Sequence, residues 1–192
     1  MEFIKDTSWE EIFKIWKERE STNPQWIKCA TEVMGWPDWE SWRQFTASQF
    51  RASERDWKLY KFTDPLQEIP QMLLGPFPSW QKDLSEKNSF SFSQLLGVPS
   101  KYEFYSKDQG ILSLMTALPF NTDFICIRRL DTNQIICIEG HNRATAITLA
   151  NKLEKKIDFS SVQLSIALFD LPVDEIDLFD TMLERGTSKD PK

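Results

Sequence analysis

Residues 135–147 constrain this chain more than any other stretch. Four apolar residues, Ile135, Ile136, Cys137 and Ile138, run straight into Glu139-Gly140-His141-Asn142-Arg143, and Ala-Thr-Ala-Ile follows at once. A short apolar run that meets a glycine and passes into an alanine-rich helical pattern reads as a buried strand, a tight turn and a helix start. Unpaired backbone N–H groups and the positive end of the helix dipole point outward at such a junction. The junction is therefore a place for a site, although residue types alone name no reaction. The chain's single histidine, His141, lies in it.

The remaining pattern places this junction in a mixed α/β domain. Asp123 to Arg129 reads as a strand, Asp131-Thr-Asn-Gln134 as a turn, and Ile135 to Ile138 as the return strand. Their apolar runs are continuous rather than alternating, which predicts strands covered on both faces. After the motif, Ala146, Ala150, Leu153 and Ile157 form one helical stripe. Val162 to Phe169 is a further strand, with Val162, Leu164, Ile166 and Leu168 toward the core and Gln163, Ser165, Ala167 and Phe169 on a more mixed face. Pro172 to Leu183 reads as the last helix.

Upstream, residues 1–55 look helical. Ser8 and Glu11 offer a capping box ahead of the stripe Trp9, Ile12, Phe13, Trp16. Asn23 and Pro24 start a second helix, which runs to about Met34, and Asp38 begins or caps a third carrying Trp39, Trp42, Phe45 and Phe50. Stripes of this kind normally face a core; the competing reading is a protein-binding surface. Trp57 and Leu59 suggest an edge strand. Leu66 to Leu74 suggests a short helix, Gly75 to Trp80 a rigid loop, and residues 81–89 a polar, exposed segment. Short helices are expected at Phe90–Leu96 and Ile111–Leu118.

Composition excludes several classes. Eight tryptophans and 41% hydrophobic residues argue for a folded chain. A net charge of −6 disfavours DNA, whose sequence-independent binding rests on clustered lysine and arginine. The three cysteines show no C-x-x-C spacing, so neither a zinc site nor a disulfide framework is visible. No apolar run approaches the ~20 residues that cross a bilayer, and the first residues do not resemble a signal peptide. The expected location is cytoplasmic.

At the motif itself, Gly140 permits a sharp turn. Asn142 or His141 can cap the helix. Arg143 can clamp an oxyanion, His141 can touch phosphate or move a proton, and Glu139 can act as a base or hold Mg²⁺ through water. The bland readings stand beside these: a turn glycine, a cap, and a Glu139–Arg143 ion pair worth under about 1 kcal/mol. No Walker-type or G-x-G-x-x-G loop occurs.

Strand–turn–strand followed by Glu-Gly-His-Asn-Arg-Ala-Thr-Ala resembles the signature of the ParB/sulfiredoxin-like superfamily, over roughly residues 56–170. Its free serine kinase branch carries Asp-Gly-His-Thr-Arg, which Glu139, Gly140, His141 and Arg143 match, with Asn142 in place of the threonine. The resemblance implies a small mixed sheet with flanking helices, and a nucleotide such as ATP, with Mg²⁺, acting on a small hydroxyl substrate. It makes Glu139 and His141 the catalytic pair, and Gly140, His141, Asn142 and Arg143 the phosphate-binding set. Asp64 or Glu68, near the proline-containing segment, would supply a further acid; the bland alternative for both is solvated surface charge. Sulfinic acid reduction does not fit, because His141 stands at the sulfiredoxin cysteine position. Chromosome partition does not fit either: only Arg143 of that branch's turn remains, and no room follows for a helix-turn-helix domain.

The resulting expectation is a tryptophan-rich helical extension over 1–55, a ParB/sulfiredoxin-like domain over 56–185 and a flexible tail over 186–192. The enzyme reading predicts a pocket at Gly140 into which Glu139 and Arg143 point. A rival reading, a protein-interaction module, predicts that Trp39, Trp42 or their neighbours form an exposed apolar patch for a partner and that Arg143 is tied up structurally.

Overall fold

Ser8 ends the first extended segment and starts the first helix: its hydroxyl accepts the Glu11 N–H at 3.2 Å. The computed structural model describes residues 1–190 and shows a mixed α/β fold. Strand β1 (Glu2–Thr7) precedes α1 (Trp9–Glu20), α2 (Pro24–Lys28), a wider turn at Cys29–Val33, and α3 (Trp39–Gln49). Asn23 and Asp38 cap α2 and α3 by accepting the N–H groups of Gln25 and Ser41. Strand β2 (Trp57–Lys61) follows, then five short helices: α4 (Pro65–Glu68), α5 (Pro78–Gln81), α6 (Phe92–Leu95), α7 (Pro99–Tyr105) and α8 (Gln109–Thr116). The hairpin β3 (Thr122–Arg129) and β4 (Ile135–Glu139) leads into α9 (His141–Lys152), β5 (Leu164–Leu171) and α10 (Leu178–Arg185).

The five strands form one sheet in the order β1-β2-β5-β3-β4. Only β3 and β5 run parallel; the other neighbours are antiparallel. The far side of β4 is closed by Leu73, whose N–H donates to the Ile135 carbonyl at 2.7 Å and whose carbonyl accepts the Cys137 N–H at 2.9 Å. Alternation along β5 sends Leu164, Ile166 and Leu168 to one core, with Phe124, Cys126 and Ile147. It sends Ala167, Phe169 and Leu171 to a second core, with Trp16, Trp39, Phe50 and Trp57. The strands are thus covered on both faces, as the continuous apolar runs predict, and the face expected to be mixed is lined by aromatic rings.

Several expectations need correction. Residues 2–7 are a strand, not helix. Glu2 to Asp6 are exposed, so no apolar period marks them, and pairing with β2 supplies their order. β2 is therefore not an edge. Residues 1–55 share a core with the sheet rather than extending from it. Residues 78–81 form a helical turn inside the expected loop. Gln81 and Leu84 are buried in the segment expected to be exposed, and α7 forms where the sequence pattern marks no element. Residues 186–190 are docked, not loose: Trp36 Nε1 donates to the Thr187 carbonyl and the Lys189 N–H to the Met34 carbonyl, each at 2.9 Å. The rest of the expected tail, 191–192, lies outside the described residues.

Candidate functional site at the β4–α9 turn

Gly140 makes the turn possible. Its φ is 110°, and a Cβ there would lie 2.4 Å from Phe124 Cδ1, so both the conformation and the space require glycine. Gly140 is also the N-cap of α9, and no side chain caps the helix. The capping expected of Asn142 or His141 does not occur. The first intrahelical bond, Ala144 N–H to the Gly140 carbonyl, is 2.8 Å. The N–H groups of His141, Asn142 and Arg143 meet no acceptor among the described residues.

Glu139 does not point into a pocket. Its side chain is 8% exposed, and it accepts hydrogen bonds from Arg143 Nη2 at 2.6 Å and Arg19 Nη2 at 3.3 Å. Burial alone would push its carboxyl up, but Arg143, then Arg19 and Arg43, outweigh burial and hold it below its ordinary range. Arg143 is 12% exposed and lies over the Phe124 ring. The pair is buried, so the reading of an exposed surface ion pair does not apply.

His141 is turned into the core. Its Nε2 accepts the Gly75 N–H at 3.0 Å, and Nδ1 lies 3.7 Å from Cys137 Sγ. The ring stacks on Trp80 with centroids 4.8 Å apart, and Phe77 and Phe92 meet it edge-on. With Nε2 accepting, the neutral ring carries its proton on Nδ1. This histidine binds the 75–81 loop to the start of α9. Burial pushes the neighbouring Cys137 thiol far up, which leaves it a poor nucleophile.

The turn's exposed side chain is Asn142. Asp64 and Glu68 belong to α4, which packs against α9, but their side chains serve other partners. Asp64 caps α4 through the Gln67 N–H. Glu68 accepts from the Met1 amino group at 2.5 Å and from the N–H groups of Thr63 and Asp64. Neither shares a hydrogen bond or ion pair with residues 139–143, and both hold local backbone rather than solvent.

The groups that do join the motif come from α1, α3 and β3. Arg19 reaches the Asp123 carbonyl at 3.3 Å as well as Glu139. Beside it, Glu20 accepts from Arg43 Nη2 at 2.8 Å and from Trp39 Nε1 at 3.1 Å. Burial, then the Glu139 carboxylate, pushes the Glu20 carboxyl up against the pull of Arg43. The signal for these residues was present in the sequence. Glu20 lies on the line of Trp9, Phe13 and Trp16, and Arg43 lies four residues after Trp39. Both charges thus fall on core-facing positions, where a charge is buried only if it is paired.

Of the surface expected of the interaction reading, Trp39 and Trp42 are buried in the core, while Ile15, Ile27 and Val33 in the same N-terminal region are exposed, and Arg143 is tied to Glu139. Among the described residues, no three of His, Cys, Asp and Glu gather as metal ligands, and no helix is long and apolar enough to cross a membrane. No protein-family model matches the chain, and no curated protein or solved structure matches it significantly.

Proposed function

We propose that this chain binds a phosphorylated small ligand or a nucleotide at the turn between β4 and α9, with phosphotransfer as its candidate chemistry. The observation that supports this reading most is the uncapped start of α9. Ser8, Asn23, Asp38, Asp64, Ser91 and Asp108 each cap their helix with a side chain; α5, α7 and α10 lack a side-chain cap as α9 does, and α9 is set apart by starting at a glycine with an arginine in its first turn. A phosphoryl group supplies the missing acceptor and complements the helix dipole. Arg143, in the first turn, is the guanidinium to clamp it, and exposed Asn142 flanks it. The motif's resemblance to ParB/sulfiredoxin-like turns supports the same placement.

Phosphotransfer asks for more. It needs positioned charge and a group to orient the acceptor hydroxyl. Glu139 is engaged by two arginines, so it becomes available only if Arg143 swings from the carboxylate to the phosphate. His141 orders the turn through Gly75 and is not placed to move a proton. The donor set does not fit a protein-held Mg²⁺: both Glu139 oxygens face guanidinium, and Asp64 and Glu68 hold backbone. Any Mg²⁺ would arrive with the nucleotide.

The test is thermal unfolding with ATP, ADP and CTP, each with and without Mg²⁺. It is run on the native chain and on Arg143→Ala, each compared with its own ligand-free midpoint. A ligand that binds only the folded state at ~100 times its Kd adds about 2.7 kcal/mol. The expected result is a shift with at least one nucleotide that Arg143→Ala abolishes. A folded native chain unmoved by all three removes the nucleotide reading.

A further inference from the structure

Two cysteines face each other across the hairpin that carries the motif. Cys126 on β3 and Cys137 on β4 are directly opposed partners in the antiparallel register. The backbone groups of Ile135 and Cys137 turn outward to Leu73, so alternation sends those of Ile136 inward to β3. Cys126 and Cys137 are therefore a non-hydrogen-bonded pair, for which Cα atoms in an antiparallel ladder lie about 4.5 Å apart. Disulfides span Cα separations of roughly 4.4–6.8 Å. Both side chains lie in the same core and both are fully buried. Strand register, not sequence spacing, brings the two together, so no C-x-x-C pattern announces them. The third cysteine, Cys29, is half-buried and lies outside the sheet, in the wider turn after α2.

Cys137 is also wired to the turn. Its thiol donates to the Glu139 carbonyl at 3.4 Å, and His141 Nδ1 lies 3.7 Å from the same sulfur. With the ring proton on Nδ1, that sulfur is the acceptor the ring faces. We propose that Cys126 and Cys137 are a redox pair that closes into a cross-strand disulfide, and that closing loosens the β4–α9 turn at Glu139 and His141. A disulfide has no S–H, so the Glu139 carbonyl loses its donor. The Cys137 sulfur turns to Cys126, and the His141 N–H is left buried without an acceptor, which is costly. The pair acts on the turn whatever ligand the turn takes.

The oxidant is hydrogen peroxide, which is close to water in size. One sulfur attacks a peroxide oxygen, the O–O bond breaks, and that sulfur becomes a sulfenic acid as its thiol proton leaves with the other oxygen as water. The second sulfur then attacks the first. The S–S bond forms, the S–O bond breaks, and the hydroxyl leaves as a second water with the second thiol proton. The two sulfurs lose two electrons, and the peroxide oxygens gain them. Burial pushes the Cys137 thiol far up, so the closed hairpin reacts slowly. The reacting form is one in which Leu73 has left the outer edge of β4. Two hydrogen bonds hold it there: its N–H to the Ile135 carbonyl, and the Cys137 N–H to its own carbonyl.

The test uses the full chain carrying Cys29→Ser, in which Cys126 and Cys137 are the only thiols. One sample is treated with hydrogen peroxide. A second is refolded from urea with glutathione disulfide, where burial does not limit access and exchange releases two glutathione thiols. The expected product of both routes has lost about 2 Da and both free thiols, and dithiothreitol restores them. Non-reducing digestion should yield a linked Cys126–Cys137 peptide from a chain that keeps its native near-ultraviolet circular dichroism. His141 is the chain's one histidine, so its imidazole NMR signals are unambiguous. They should shift on oxidation and return on reduction. Thiols that survive both routes overturn the proposal, as does a linked chain that has lost the native spectrum. Oxidation to sulfinic acid without a linked peptide does the same. A linked peptide with unmoved His141 signals overturns the coupling to the turn. If Cys29→Ser fails to fold, the same linked peptide is sought in the native chain. None of these readouts depends on nucleotide binding.

Discussion

The helices that cover the two faces of the sheet pack by different means, although rings such as Phe62, Phe92 and Phe124 also lie on the α9 side. On the side of Ala167 and Phe169, α1 and α3 lay down large rings: Trp16 meets Trp39 edge-on at 5.6 Å, and Trp57 meets Phe169 at 4.9 Å. On the other side, α9 sets Ala144 and Ile147 against the sheet and Ala146 and Leu149 against Leu96 and Ile111. The hydroxyls of Thr145 and Thr148 return to the carbonyls four residues back, so α9 needs no outside partner for them. Small residues bring a helix close over many shared contacts. Rings concentrate the same burial in few side chains, and the buried charges of the molecule sit among them. Arg43 lies 3.8 Å from the Trp42 ring centroid and 4.8 Å from that of Trp16, which offsets part of its desolvation. The aromatic face should therefore fail at single positions, and the alanine face should fail by crowding.

Trp16→Ala breaks that comparison at its strongest point. Trp16 is 1% exposed and contacts Trp9, Phe13 and Trp39. Its truncation leaves a large cavity and should cost ~3–5 kcal/mol, read as a lowered denaturant midpoint at unchanged slope. Ala144→Leu tests the other face. Ala144 is fully buried one turn from Gly140, and three added carbons have no room without moving α9. The expected loss is ~1–3 kcal/mol. If Ala144→Leu cost nothing, α9 would be loosely seated and the contrast between the faces would be false.

This contrast was only half legible in the sequence. The strand–turn–helix at residues 135–147 and the capped starts at Ser8, Asn23 and Asp38 rest on local chemistry, and they appear where local chemistry puts them. β1 has no such signal, because a strand exposed from Glu2 to Asp6 is ordered by its partner and not by burial. The order of strands in the sheet is likewise a long-range property. At the site, Gly140 was legible, because only glycine tolerates that turn. The roles of Glu139 and His141 were not: side-chain type says what a group can do, and its partners say whether it is available. Arg19 and Gly75, 120 and 66 residues away in the chain, occupy those two side chains.

The smallest predicted effect separates burial from pairing within the aromatic layer. Helices α1 and α3 are joined by two ion pairs of nearly equal length, Lys17–Glu40 at 2.6 Å and Glu20–Arg43 at 2.8 Å. In the first, the side chains are 46% and 40% exposed; in the second, 13% for Arg43 and 7% for Glu20. Water screens the outer pair and competes for both of its ends, so Lys17→Ala should cost under ~1 kcal/mol. That small loss should shrink further in salt, since the Debye length falls to about 3 Å at 1 M. The inner pair lacks that screening, and removing Arg43 would leave Glu20 with only an indole donor. Chemical denaturation by urea, which leaves ionic strength unchanged, measures Lys17→Ala at low and high salt. A salt-independent loss of several kcal/mol would mean that the seam between α1 and α3 is tighter at its rim than exposure allows. The rings, rather than distance from water, would then be what holds the charged side chains in place.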